Sequence, residues 1–207
     1  MSRRYYKNSS FHVNDVYVEN HRFLTPFRGN RTLKELEKLL ETIIYEDQGQ
    51  SVMEGGYCRP PVLATALFLI EHAYSHFLHE GLTLRHILDW MFFAKKHRND
   101  LDWTAFDAAC TRFGFDRFFV SYVHLGELIL GERAEGELTA VDQMMLQSVW
   151  SGLNIPKTLH GVKGKLALVG NTLHAAWKYR HFSPISMPHA LWIQVTAFLF
   201  DRRPELD

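Results

Sequence analysis

Apolar residues recur at intervals of three and four along most of this chain. Leu33, Leu36, Leu40 and Ile43 alternate with Lys34, Glu35, Lys38 and Glu41, a period that predicts an amphipathic helix from about Thr32 to Glu46. After a loop containing Gly49, Ser51, Gly55 and Gly56, Pro60 and Pro61 open a second helix, since proline is tolerated in a first turn. Its apolar run, Val62 to Ile70, falls well short of the roughly 20 residues needed to cross a bilayer. Further helices are predicted near 84–97, 103–113, 116–130 and 138–150, separated by Gly114, Gly131 and Gly136. Asp100 or Asp102 is positioned as the N-cap of the helix starting near Trp103. Such short connections make antiparallel neighbours.

The two ends of the chain read differently. Val13 to Glu19 mixes β-branched and polar residues and predicts a strand, with Asn8-Ser9-Ser10 as the turn that lets Tyr5-Tyr6 pair with it. The expected fold class is therefore mainly α (α+β): a short N-terminal β-hairpin followed by a helical bundle. A two-stranded ribbon is marginal alone, so it leans on helices or pairs through its edge with another chain. The expected units are 1–30 for the hairpin, 31–150 for the bundle, and 151–207 for a hinge loop and C-terminal helices packed on the bundle. Within the last unit, Ser151 to Gly164 reads as the loop and Lys165 to Tyr179 as a helix. The aromatic segment Pro188 to Phe200 covers the core, and Lys178, Arg180 and His181 form a solvated helix end.

Composition narrows the function classes. With 207 residues, 46% of them hydrophobic, the chain can bury a sizeable core. Its 23 basic and 23 acidic side chains cancel, which gives no general attraction to nucleic acid or to an anionic membrane. Cys58 and Cys110 make no CxxC pair and read as buried free thiols in a reducing compartment. The first twenty residues have no apolar core of a signal peptide, so the expected location is cytoplasmic.

The candidate chemistry lies between Glu71 and Trp90. His72, His76 and His79 sit at i, i+4 and i+7, within about 60° on one helical face. A pair at i and i+4 can share a Zn²⁺, with Asp89 from the next helix as an oxygen donor. The third histidine fits poorly, because seven residues advance a helix by roughly 10.5 Å. The same face also reads as a structural polar cluster or as a substrate groove. Thr83 is placed as an N-cap, which puts Arg85 and His86 in a first turn where the helix dipole disfavours positive charge. A cation there calls for an anionic partner: Asp89 in a pair that pins two helices, or a phosphate or carboxylate ligand. No P-loop, dinucleotide fingerprint or serine elbow is present.

The string from His76 through His79-Glu80-Gly81-Leu82-Thr83-Leu84-Arg85-His86 to Asp89-Trp90 resembles the RHF-hydrophobic-HEG-hydrophobic-GLRQ-two-residues-DW segment of an uncharacterised, largely bacterial nucleotidyltransferase-like family. Ser75 and Thr83 depart from it, standing where the pattern has Arg and Gly. Val18-Glu19-Asn20-His21-Arg22-Phe23-Leu24 is similar to the family's VE-x-H-x-x-L strand, and Leu101-Asp102-Trp103 through Phe118 to its LDW and GL-x-x-F helices. The resemblance implies that the hairpin belongs to a nucleotidyltransferase sheet. It also implies Mg²⁺-dependent transfer from an NTP, with Glu19 as the third metal-binding carboxylate. His72, His76, Arg85 and Asp89 would face nucleotide phosphate or acceptor. The Gly-Ser turn and Asp-x-Asp strand of such enzymes are missing at workable spacing, since Gly55-Gly56 and Asp100-Leu101-Asp102 lie too far apart. The expectation is a rear, substrate-side portion that is inactive alone. The alternative is a non-catalytic helical module that binds a protein partner or a second copy through its β edge.

Overall fold

A computed structural model of the chain describes residues 3–4, 8–21, 23–25, 30–46, 53–54, 57–79, 81–151 and 176–192. Strands β1 (Arg3–Arg4), β2 (Asn8–Val13) and β3 (Val16–His21) form an antiparallel sheet in the order β1-β2-β3. The hairpin is present, but its turn is not where the composition suggested. Asn14 and Asp15 make it, with φ of 48° and 61°, the two successive positive values that a two-residue type I′ turn demands and that Asn and Asp tolerate. Register then runs from Val13 opposite Val16 to Asn8 opposite His21, so Asn8-Ser9-Ser10 is strand. Phe11, Val13, Val16 and Tyr17 are exposed on this sheet.

The helices follow in sequence. Helix α1 (Arg31–Glu46) opens on Asn30, whose side chain accepts the Leu33 N–H at 3.2 Å. A small antiparallel pair, β4 (Met53–Glu54) and β5 (Tyr57–Cys58), precedes α2 (Val62–His79). Helix α2 stops where Gly81, at φ 104°, donates its N–H back to the His76 carbonyl at 2.7 Å. Then come α3 (Leu84–Lys96), capped by Thr83, and α4 (Trp103–Phe113), capped by Asp102, which accepts the Ala105 N–H at 3.0 Å. Gly114 ends α4 at φ 75°, and α5 (Asp116–Ile129), a 3-10 turn (Glu135–Glu137) and α6 (Ala140–Ser151) complete the bundle. Helix α7 (Ala176–Phe182) packs on α5. Of the expected helix 165–179, segment 188–200 and loop 151–164, residues 165–175, 193–200 and 152–164 lie outside the described residues.

Helix α2 is the centre, packed by α1, α3 and α4. Its face of Leu67, Ile70, Ala73, Tyr74 and Phe77 is buried, and Phe77 meets the rings of Phe118, Trp177 and Phe182 at 5.3 to 5.8 Å between centroids. A second aromatic layer stacks Trp90 on Phe106 with Phe119 edge-on.

Three buried polar groups depart from the simple pattern. Glu37, on the core side of α1, accepts the backbone N–H groups of Leu24 and Thr25 at 2.9 and 2.7 Å and the Thr25 hydroxyl at 2.9 Å. It thereby ties the segment after β3 to α1. Asp142 closes a capping box with Thr139 and receives His124 from α5. Lys178 was expected at a solvated helix end, but it is 3% exposed and donates from Nζ to the Phe77 carbonyl at 2.7 Å over the Phe77 ring. The short helix α7 turns it inward because Tyr179 and Phe182, its neighbours on that side, are core residues. Cys110 is buried, and burial, with Asp107 and Asp116 adding to it, pushes its thiol up to about 12, which makes it inert as a nucleophile at neutral pH.

Candidate functional site: the histidine face of helices α2 and α3

The α2 surface opposite the core carries Thr65, Phe68, His72, His76 and His79 at steps of three and four. The Gly81 stop turns the chain back, so the first turn of α3 lies against the C-terminal half of α2. This brings His86 to the histidine stripe. The His72 and His76 rings are 4.5 Å apart, His76 and His86 stack at 4.7 Å, and His72 and His86 are 5.6 Å apart. One ring nitrogen of each lies within 4.8 Å of the other two, and all three side chains are half-buried. It is the only such convergence of three or more His, Cys, Asp or Glu side chains among the described residues.

The surroundings hold these rings in place. Phe68 stacks on His72 at 5.5 Å. His86 occupies the third position of α3, and its Nδ1 lies 3.2 Å from the Thr83 N and 3.1 Å from the Thr83 hydroxyl. Its carbonyl accepts the phenol of Tyr122 from α5. Burial, and after it the Asp89 charge, raises the Tyr122 phenol above its ordinary value, so it stays a donor throughout the neutral range. His79 takes no part: its Nδ1–H donates to the Ser75 carbonyl at 2.8 Å, one turn back, and the ring is exposed.

The remaining sequence-predicted residues fall as follows. Arg85 Nε lies 3.6 Å from Asp89 Oδ2, with side chains 88% and 50% exposed. That is a surface pair of small energetic worth, not a buried clamp between helices. Arg85, Asp89 and His86 span about 100° of the α3 surface, so Arg85 leaves the helix one residue from His86. Glu19 stands on β3 opposite Ser10, and its side chain lies outside the described residues. His86 is the member that the spacing arguments missed. The signal was available in the glycine stop, which implies an antiparallel return and hence a contact between the first turn of α3 and the last turns of α2.

Three imidazoles suit a borderline transition ion. Mg²⁺ instead takes oxygen ligands in near-octahedral array, and the described residues bring no such set together. The three imidazoles are not a Mg²⁺ donor set, and Glu19, to which the resemblance assigns that ion, has its side chain outside the described residues. No helix of the described residues is long and apolar enough to cross a membrane.

Comparison with known proteins adds one positive finding. A family model described as an uncharacterised nucleotidyltransferase matches residues 1–131, and the chain belongs to that family. No curated protein and no solved structure matches it.

Proposed function

We propose, with this family membership as premise, that the chain is the substrate-side, largely helical portion of a nucleotidyltransferase acting on an NTP. Arg85, His72, His76 and Asp89 face the nucleotide phosphates or the acceptor. The observation that carries the reading is Arg85. It is a cation in the first turn of a helix, against the dipole, 88% exposed and only loosely paired. A guanidinium in that setting is stabilised by a phosphate, which it can grip with two parallel hydrogen bonds.

The chain alone does not perform the transfer in this reading. In-line displacement with two ions needs carboxylates that hold both, and Glu19 is the single candidate the family pattern offers. The missing carboxylates come from another segment or another chain. A second reading, a non-catalytic interaction module, is favoured by the exposed Phe11, Val13, Val16 and Tyr17 on a sheet whose β3 pairs, among the described residues, with β2 alone and so offers an edge for strand addition.

Calorimetric titration with ATP, CTP, GTP and UTP, with and without Mg²⁺ or Mn²⁺, separates the two. The nucleotide reading expects saturable binding that Arg85→Ala weakens by roughly tenfold, the worth of one charge-assisted contact, and a metal-dependent increment that Glu19→Ala removes. Absence of binding at millimolar nucleotide overturns it in favour of the interaction module.

A further inference from the structure

We propose that His72, His76 and His86 bind one borderline divalent transition ion, Zn²⁺ above all, with the fourth coordination position open. The inference rests on side-chain geometry and stands whether or not the chain binds nucleotide.

Distance decides whether an ion can be reached. Tetrahedral nitrogen ligands at about 2.05 Å from Zn²⁺ are about 3.3 Å apart. The candidate nitrogens lie within 4.8 Å of one another, so closure requires each ring to move by an ångström or less. Rotation about side-chain bonds supplies that without shifting a backbone. His72 and His76, one turn apart, form the bidentate half of the site. His86 comes from a different element, α3, whose first turn is fixed by Tyr122 on the His86 carbonyl and whose His86 ring meets the Thr83 hydroxyl. Thr83 stands on the Nδ1 side of His86, so Nε2 is the nitrogen assigned to the ion.

That choice has a consequence for the tautomer. With Nε2 on the ion, Nδ1 carries the proton and donates to the Thr83 hydroxyl at 3.1 Å. The contact between the Thr83 N–H and Nδ1, which needs a bare nitrogen, gives way. A histidine ligand whose other nitrogen donates to an oxygen is the usual supporting arrangement for bound zinc. Thr83 is therefore a positioning residue for this site.

The donor set also fixes what the ion would prefer at its open position. Three neutral imidazoles leave the full +2 charge uncompensated, and Arg85, next to His86 in sequence, is exposed. Water that ionises readily or a phosphate oxygen is favoured there. Mg²⁺ is disfavoured, since it shuns an all-nitrogen site.

The test is titration of the chelator-treated chain with ZnCl₂ and with CoCl₂, read by calorimetry and by the visible absorption of tetrahedral Co²⁺. The expected result is one ion per chain at micromolar or tighter affinity, with no competition from MgCl₂. His76→Gln and His86→Ala each lower the affinity by at least about 100-fold, beyond the range for supporting residues, and Thr83→Val by about tenfold, within it. His79→Ala leaves it unchanged, and circular dichroism with excess chelator present confirms that all variants fold. No saturable zinc binding, binding indifferent to His76→Gln and His86→Ala, or binding lost in His79→Ala would each overturn the proposal.

Discussion

Lys178 makes the stability of this protein depend on pH in an unusual direction. Burial pushes its ammonium from 10.5 down to about 8. At about 1.4 kcal/mol per factor of ten, the difference corresponds to a cost of about 3 kcal/mol for keeping the charge inside. Below pH 8 the folded and unfolded states are both protonated and the full cost is present. Between 8 and 10.5 the unfolded chain binds more protons than the folded one, so stability rises with pH. From pH 7 to 9.5 the gain is about 2 kcal/mol. The window must close there, because burial raises the phenols of Tyr74, Tyr122 and Tyr179. Stability tied to those groups is present below pH 10 and is lost above it. Urea unfolding followed by circular dichroism at pH 7, 8, 9 and 9.5 measures the slope. Lys178→Met removes the charge and also the bond to the Phe77 carbonyl, effects of opposite sign. Its stability at pH 7 therefore changes little while its slope between 8 and 9.5 vanishes. A flat or falling wild-type curve, or a Met variant that keeps the slope, refutes the reasoning.

Three further substitutions probe the frame around the site. Asp142→Ala loses the α6 cap and strands the groups of Thr139, Ser121 and His124, for about 3 kcal/mol by denaturant unfolding. Burial pushes the Asp142 carboxyl up, but hydrogen bonds from Ser121, Thr139 and His124 outweigh it and hold the net value below the ordinary one. Its contribution is thus present above about pH 4 and lost as pH falls further, and the Ala variant shows a shallower acid limb. Glu37→Gln offers an amide where two backbone N–H groups need acceptors, costs about 2 kcal/mol, and speeds hydrogen exchange at Leu24 and Thr25. Gly126→Ala would gain helix propensity in open space, but a methyl there meets Met91 Cγ at 2.6 Å. It destabilises by about 1–3 kcal/mol, and combining it with Met91→Ala recovers part of the loss in thermal melts.

Where one-dimensional patterning coincides with burial, the sequence was legible. The Leu33, Leu36 and Leu40 period found α1 to within a residue, and the Asp102 cap and Gly114 stop bracket α4 as expected. Failures occurred where a tertiary neighbour reverses a local preference. Glu37, on which the periodicity made no assignment, shares a face with Leu33 and Leu40 and is buried because the segment after β3 brings two amides to it. Lys178 goes inward because its ammonium finds the Phe77 carbonyl and the face of the Phe77 ring there. The hairpin turn was misplaced because Asn8-Ser9-Ser10 is compositionally turn-like, yet Asn14-Asp15 lies between two valines that must face each other. His72 and His76 were visible from their spacing alone, whereas His86 joins them only once α3 folds back.

The central claim, that the α2–α3 face receives nucleotide, is tested most directly by photocrosslinking an azido-substituted NTP to the intact chain and mapping the adduct by mass spectrometry. The account predicts labelling between His72 and Asp89 that unmodified NTP competes away and Arg85→Ala weakens. Labelling confined to other elements, or labelling that unmodified NTP fails to compete, would contradict it.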